Sequence, residues 1–527
     1  VTADTLHRRL ESLDAHPALL TGIQRGIERE GLRTDGIGQL AMTPHATSLG
    51  SALTHPRITT DYSEALLELI TGVHGSTDAL FDELGATHRY VQQNLGTELL
   101  WAHSMPAGLP GEAQIPIAWY GTSHSGMLKH VYRRGLAERY GKVMQCIAGL
   151  HYNFSLPETF WDTLGYAGDT SKSRRSSAYI ALIRNFSRYS WLLMYLFGAS
   201  PAASSCFLEG RPHHLQRLDR DTWFLPHATS LRMSDLGYQN EAQSRLKPCY
   251  NDLDTFIARL REAVTEPWPA YEAIGTHRDG EWIQLNTYIL QIENEYYSAI
   301  RPKQTAARGE RPLTALSERG IQYIEVRCLD LDPYEPLGIG ATTSHFLDAF
   351  LLYCALLDSP HCGPAGFCQT SADNFKAVVE AGRRPGLMLE RNGESIALTD
   401  WGHQLLDGIL LCAQRLDAAN GGTHHANAVA QQRAKIDRVD LTPSARVLND
   451  LQQRGISLHQ HALELSHRHA DTLRAQPLPA GLDAQYRAMA LTSLDAQVEL
   501  ERADTGTFDE YVARYERALP GATTSAS

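Results

Sequence analysis

The sequence predicts an α+β fold. Two segments, 150–156 and 323–329, alternate strictly between apolar and polar residues, the mark of half-buried strands. Helical periodicity fills Ser177–Phe197 and His345–Leu357 and nearly everything from Ser444 onward. The two patterns are mixed rather than ordered as repeating βα units, which favours a separate, mainly antiparallel sheet over a doubly wound one.

The first element is Gly22-Ile-Gln-Arg-Gly-Ile-Glu-Arg-Glu30. As a strand it puts Gln24, Gly26, Glu28 and Glu30 on one face, and Ile23, Arg25, Ile27 and Arg29 on the other. Two carboxylates on one sheet face repel each other unless a positive charge lies between them, and a hard divalent cation takes carboxylate oxygen. The competing explanation is a solvated edge strand screened by its arginines.

Next comes Thr59–Ile70, within a helix expected over Ser63–Val73. Asp61, Glu64 and Glu68 then share one helix face, with Asp61 as N-cap and Glu64 completing a capping box. Glu68 has no such structural duty; it is either part of a solvated face or a ligand.

In Leu150–Leu156, His151, Asn153 and Ser155 oppose Leu150, Tyr152, Phe154 and Leu156. In Tyr323–Leu329, Glu325 and Arg327 oppose Ile324, Val326 and Cys328. Any half-exposed antiparallel strand alternates in this way. The polar residues chosen, however, are His, Asn, Glu and Arg, which serve coordination and anion binding. Tyr132-Arg133-Arg134, Arg232 with Tyr238, and Tyr296-Tyr297 followed by Arg301-Pro-Lys303 add guanidinium forks and directional hydroxyls. Each group alone is equally consistent with a surface pair.

The strongest loop signals fall at Pro106–Pro116, Arg301–Pro312, Ser359–Gly366 and Ala418–Asn427, and 520–527 reads as a flexible tail. The late helical part holds His459, His461, His467 and His469, expected on a solvated face without a shared metal. The 527 residues, 43% hydrophobic and 20% charged, are expected to make one catalytic domain over 1–519, with its sheet core near 20–335 and a helical part near 340–519. A net charge of −12 disfavours nucleic acid and anionic membranes as partners. No apolar run is long enough for a membrane helix, and Val1–Leu10 lacks the charged-then-apolar pattern expected of a signal peptide. Eight scattered cysteines suit a reducing, cytoplasmic setting, and Cys362 and Cys368 are expected as free thiols. Gly121–Gly126 begins like a phosphate loop, but Met127 and Leu128 stand where Lys and Ser or Thr are required. No nucleophile elbow or dinucleotide fingerprint appears either. A bound nucleotide must therefore be held through metals and arginine.

Taken in order, Gly22–Glu30, Leu49–His55, Ile58–Glu68, His151–Pro157, Leu196–Pro201, Ser230–Tyr238, Gln291–Tyr297, Ile300–Lys303 and Tyr323–Arg327 resemble glutamate–cysteine ligases of the proteobacterial type. The likeness runs from about Gly22 to Asp332 and more weakly to Leu519. It implies a curved, mainly antiparallel sheet forming an active-site bowl, similar to glutamine synthetase, with helices outside. It also implies ATP-dependent joining of the γ-carboxylate of glutamate to the amine of cysteine through an acyl phosphate, the first step of glutathione synthesis. By position, Glu28, Glu30, Asp61, Glu68, His151 and Glu325 match magnesium ligands, several ions being implied and Mn²⁺ serving as a substitute. Arg232 and Arg327 match groups at the transferring phosphoryl and the substrate carboxylates. Tyr132, Arg133, Tyr238 and Tyr297 match the amino-acid pocket, and Tyr62 stands where close relatives have Phe. Cys362, Cys368 and Cys412 are not assigned to the cysteine pair that some members carry. The expected partners are glutamate, cysteine and ATP, acting on a monomer. The alternatives are a ligase for another amine, a non-catalytic regulatory homologue, and a metallohydrolase that needs no ATP.

Overall fold

A computed structural model describes residues 2–237, 241–244, 246, 249–363 and 368–520. Tyr238 and the tail residues 521–527 lie outside the described residues. Among those described, seven strands make the main sheet: β1 (Gln24–Thr34), β2 (Ile58–Thr60), β3 (Leu66–Ile70), β4 (Leu99–Leu100) and β5 (Leu150–Ser155), then two later in the chain. Between them come a small sheet of β6 (Ala202–Ser204), β7 (Gln216–Arg217) and β8 (Thr222–Phe224), and the hairpin of β9 (His277–Arg278) and β10 (Glu281–Trp282). The last two strands of the main sheet are β11 (Ile300–Lys303) and β12 (Tyr323–Leu329). A distal hairpin, β13 (Met388–Arg391) with β14 (Glu394–Ala397), lies in the helical part.

The main sheet runs β11-β12-β5-β1-β3-β2, every pairing antiparallel, with β4 on the far end of β1. The expected α+β arrangement is therefore present. The helices Ser171–Phe197 and Ala341–Leu356 pack behind the sheet and bury apolar residues almost all round, as central helices do. From Pro443 to Arg517 the chain is helical with breaks near the expected Gly455 and Pro479. Gly455 ends its helix in the left-handed conformation, at φ 61°. No helix among the described residues is long and apolar enough to cross a membrane.

Four expectations are corrected. The helix over Ser63–Val73 is instead the strand β3, preceded by a turn at Ser63–Ala65. Its Leu66-Leu67-Glu68-Leu69-Ile70 suits either element; pairing with β1 on one side and β2 on the other decides for the strand. Asp61 and Glu64 cap no helix there: Glu64 accepts from the backbone of His45 and Trp119. Second, Arg301–Lys303 is not loop but an edge strand. Third, Cys362 and Cys368 form a disulfide rather than free thiols, their Cα atoms lying 5.0 Å apart, within disulfide reach. Fourth, the helix Leu458–Arg474 does not expose all its histidines. His461 is buried between His103 (3.1 Å) and Asp450 (3.2 Å), and buried His469 meets the carbonyl of Pro333 (2.8 Å). His459 and His467 meet the carbonyls of Gly38 and Gly36, because the helix is packed against protein along both edges.

Candidate active site

The strand register assembles the site. Glu28 of β1 stands opposite His151 of β5, and Glu30 opposite Glu68 of β3. Glu325 of β12 stands opposite Asn153, and Arg301 of β11 opposite Glu325. Residues directly opposite share a sheet face, so the alternation in β1, β5 and β12 sends all these side chains to one side. The opposite face carries Ile27, Tyr152, Phe154, Ile324 and Val326, all in the main apolar core. Beside the polar face runs the helix His124–Tyr140, capped by the Ser123 side chain; this is the segment that began like a phosphate loop.

These groups line one cavity of about 340 Å³. It brings together Glu28, Glu30, Asp61, Glu68, His151 and Glu325 with Tyr132, Arg133, Arg232, Tyr297 and Arg327. The tightest groupings are Glu28–His151–Glu325 and Glu30–Glu68–His151, each offering ligand atoms within 4.8 Å of one another. His151 holds the two together: its Nδ1 lies 3.1 Å from Glu28 Oε2, and its Nε2 lies 3.5 Å from Glu30 Oε1. Asn153 Nδ2 donates to Glu28 Oε1 at 2.9 Å, and the amide of Gly149 donates to Glu30 Oε2 at 2.6 Å. A Cβ at Gly149 would come within 2.0 Å of Arg232 Nη2, so glycine is what lets the guanidinium pass. Asp61 belongs to neither trio; its side chain is 42% exposed at the cavity mouth, 3.9 Å from Arg133.

Charge is unevenly balanced. Burial pushes the pKa of Glu325 up, but Lys303 at 3.4 Å and Arg327 at 3.1 Å prevail and hold it well below the usual carboxylate range. Glu28 is held down more mildly: burial and Glu325 push up, and His151 and Lys303 outweigh them. Glu68 goes the other way. Burial, then Glu28, Asp61 and Glu30, push it well above the usual range. Glu30 is also raised, chiefly by burial. One end of the cavity thus has paired carboxylates and the other has surplus negative charge, which a divalent cation would relieve.

Arginine frames the opposite wall. Arg327 Nη1 donates to Glu325 Oε2 at 3.1 Å and lies 3.4 Å from His151 Nδ1. Arg232 is buried; its Nη2 donates to the carbonyl of Arg327 at 3.0 Å. Arg133 Nε donates to the carbonyl of Asp61, and its guanidinium lies 4.7 Å from the Tyr120 ring centroid. Tyr297 donates to the Met233 sulfur at 3.0 Å. Tyr62 also lines the cavity, and among the described residues its buried hydroxyl has no hydrogen-bond partner.

Lys129, Arg301 and Lys303 line the cavity too; the sequence offered Arg301 and Lys303 only as a candidate anion-binding pair, and Lys129 not at all. Lys129 lies four residues before Arg133 on the same helix face, a usable signal. Burial and the nearby Arg133 bring its pKa down to about 8. Arg301 and Lys303 alternate with Ile300 and Pro302, but the segment was read as a loop.

The chain is similar to known proteins. The family model for glutamate–cysteine ligase matches residues 10–378. The glutamate–cysteine ligase of Bordetella petrii is 62% identical over 517 residues, covering 98% of each chain. That of Pseudomonas aeruginosa is 56% identical over 524 residues, 98% of this chain and 99% of its own. The crystal structure of glutamate–cysteine ligase from Francisella tularensis in complex with AMP superposes with a TM-score of 0.89 at 38% identity, covering 95% of this chain and 99% of that one. A bifunctional glutathione synthetase from Pasteurella multocida shares the fold, with a TM-score of 0.72 at 24% identity over 92% of this chain and 58% of that one.

Proposed function

The chain belongs to the glutamate–cysteine ligase family, and from that premise we propose that its polar sheet face joins the γ-carboxylate of glutamate to the amine of cysteine. ATP drives the reaction, which yields γ-glutamylcysteine, ADP and phosphate. The observation that carries this reading is one cavity holding two carboxylate–histidine trios and facing arginines, with no Ser, Thr or Cys among the described residues that line it. A carboxylate is a poor electrophile, so its oxygen first attacks the γ-phosphorus of ATP; the amine then displaces phosphate from the acyl phosphate. Neither step needs an enzyme nucleophile.

The donor set fits Mg²⁺: carboxylate oxygens predominate, and the surplus charge around Glu68 and Glu30 needs a cation. Glu28 and Glu325 would hold one ion and Glu30 and Glu68 another, with His151 ligating one of the two through its single unprotonated nitrogen and Asp61 at the mouth serving through its exposed carboxylate. When bound, Mg²⁺ neutralises phosphate charge and polarises the phosphoryl oxygens. Mn²⁺ has the same oxygen preference and would serve in its place. Arg327, fixed by Glu325, and Arg232, fixed on the carbonyl of Arg327, present guanidinium groups to charge growing on the phosphoryl group and on the tetrahedral adduct. Tyr132, Arg133 and Tyr297 line the remaining wall and would orient the amino-acid substrates, Arg133 through a carboxylate. The acting unit is taken to be a monomer. A main apolar core running from Leu6 to Ala462 supports one catalytic unit over 1–519.

The test is ADP release by the purified chain with Mg²⁺, ATP and glutamate, offered cysteine, 2-aminobutyrate and a panel of other amines, with products identified by mass. Glutamate-dependent ADP formation with the first two, and a γ-glutamyl product, is expected. Turnover only with a different amine would overturn the substrate assignment, and phosphate release without any amide product would favour a hydrolase.

A further inference from the structure

A second cavity, of about 1020 Å³, shares no described lining residue with the carboxylate cavity. It lies between the helices Ser171–Phe197, Ala341–Leu356 and Leu398–Asn420 and the β13–β14 hairpin. Tyr189, Tyr353 and Trp401 form an aromatic wall, with ring centroids 6.1 Å apart for the two tyrosines and 6.4 Å for Tyr189 and Trp401. Leu405 and Leu411, on the same face of the helix as Trp401, extend the apolar surface. Concave apolar walls with a few polar groups among them are the usual make-up of a small-molecule site.

The polar groups of this wall are held in place and left unused. Tyr353 is 8% exposed and Trp401 6%, yet neither the Tyr353 hydroxyl nor Trp401 Nε1 has a hydrogen-bond partner among the described residues. Neither atom is sealed in the core; both residues open onto the cavity. Gly408 makes room for Tyr353, since a Cβ there would come within 2.4 Å of the ring and 3.1 Å of the hydroxyl oxygen. Glycine is a poor helix former, and it stands here in a helix interior, where the tyrosine needs the space. Groups so enclosed have little hydration to lose when a ligand acceptor arrives. Beside Trp401, the Arg391 guanidinium lies 5.9 Å from the ring centroid. Its Nη1 donates to Gln404 Oε1 at 2.6 Å, which leaves Nε and Nη2 without a partner among the described residues.

We propose that this cavity binds a carboxylate carried on an apolar body, and that it does so together with the substrates rather than in competition with them. Indole N–H and guanidinium only donate, and a tyrosine hydroxyl donates as well, so the three groups call for an acceptor with several lone pairs. A carboxylate is such an acceptor and matches the fork of Arg391. The rings and leucines take the apolar body. Glu390, Glu394 and Asp407 also line the cavity but are exposed, and Asp407 is paired with Arg433 at 2.5 Å. Solvent screens these acids, yet they disfavour a ligand with several negative charges, so one carboxylate is the preferred charge. That group can belong to a free organic acid or to the C-terminus of a short peptide. Binding leaves the substrates undisturbed because the two cavities share no wall.

The test is isothermal titration of the full chain in saturating ADP, Mg²⁺ and glutamate. The probes are 3-phenylpropionate and its uncharged amide, and the peptide N-acetyl-Leu-Phe with a free or an amidated C-terminus. At least one of the two carboxylates should bind with a Kd of about 1 mM or tighter, and its amide ~10-fold more weakly. The tighter of the two tells a free acid from a peptide end. Tyr353→Phe and Arg391→Gln should each weaken that carboxylate by ~10-fold, the loss of one hydrogen bond to a charged group, with thermal melts like the parent's. If Tyr353→Phe melts lower, the half-buried Arg391 decides through Arg391→Gln alone. The same affinity should be found with ADP and glutamate left out. No binding by either carboxylate up to about 10 mM overturns the proposal, as does equal binding of acid and amide. Affinity untouched by the substitutions, or displacement of the acid by glutamate, overturns it too. The titration needs no turnover, so its result is independent of the ligase reading.

Discussion

Glu325 and Glu68 show how the same side chain is set to two states by its neighbours. Glu325, 1% exposed, is held by Lys303 and Arg327, whereas Glu68 faces three other carboxylates with Lys129 as its main opposing charge. Glu68 has a folded-state pKa above its unfolded one, so without metal its ionisation costs stability as pH rises past the carboxylate range. Glu68→Gln removes that cost: in chelator at pH 7.5 the variant should melt about 1–2 °C higher than the parent, and Mg²⁺ should raise its melting temperature less. Arg327 bridges Glu325 and His151 through one guanidinium nitrogen. Arg327→Lys keeps the charge and loses the planar fork, so kcat should fall ~10²–10³-fold by steady-state assay with the fold intact. At this scale most of the cavity was legible. His151, Glu325 and Arg327 announce themselves by alternation opposite apolar residues, and Glu28 and Glu30 as two carboxylates on one strand face. Lys129 and Lys303 do not, because a lone lysine on a helix or in a Pro-containing segment has the profile of a solvated one.

The elements explain why the site is rigid. β1 and β5 carry ligand-type residues on one face and a buried ionic network on the other. Arg25 Nε donates to Asp348 Oδ2 at 2.7 Å, and the Tyr152 hydroxyl donates to Asp348 Oδ1 at 2.9 Å. Asp348, on the helix Ala341–Leu356, is wholly buried and held below the usual carboxylate range: burial raises it, but Arg25 and His425 overcome that. Removing one partner of such a pair strands the other charge, so Asp348→Ala should lose about 3–5 kcal/mol in urea unfolding. β3 marks the limit of local reading. Leu66–Ile70 has leucine and glutamate, both good helix formers, and only the ladders to β1 and β2 make it a strand. Glu68 still reached the site, because the strand register sets it opposite Glu30. The disulfide of Cys362 with Cys368 was equally hidden, since spacing alone does not show that two cysteines fold toward each other.

For the whole molecule, the balance of buried groups sets its response to acid. His88 is fully buried and pushed down to about 3 by burial and the nearby Arg29, and His45 and His345 to about 4, burial being the largest cause for both. Their folded-state values lie below the unfolded one, so stability is lost as pH falls through the ordinary histidine range, by up to ~1.4 kcal/mol per pH unit for each histidine. Thermal melts should therefore fall between pH 7 and pH 5, and His88→Phe should flatten the fall. The α+β class was legible from periodicity across the chain; the order of the strands was not, because it rests on pairings between residues as distant as Glu28 with His151 and Asn153 with Glu325. The central claim is that those pairings build a site for more than one divalent ion. Counting Mn²⁺ bound in the presence of ADP, by titration followed by electron paramagnetic resonance, tests it most directly. At least two ions per chain are expected, with one lost in Glu68→Gln and the other weakened in Glu325→Gln. A single ion, or a count unchanged by both substitutions, would contradict the account.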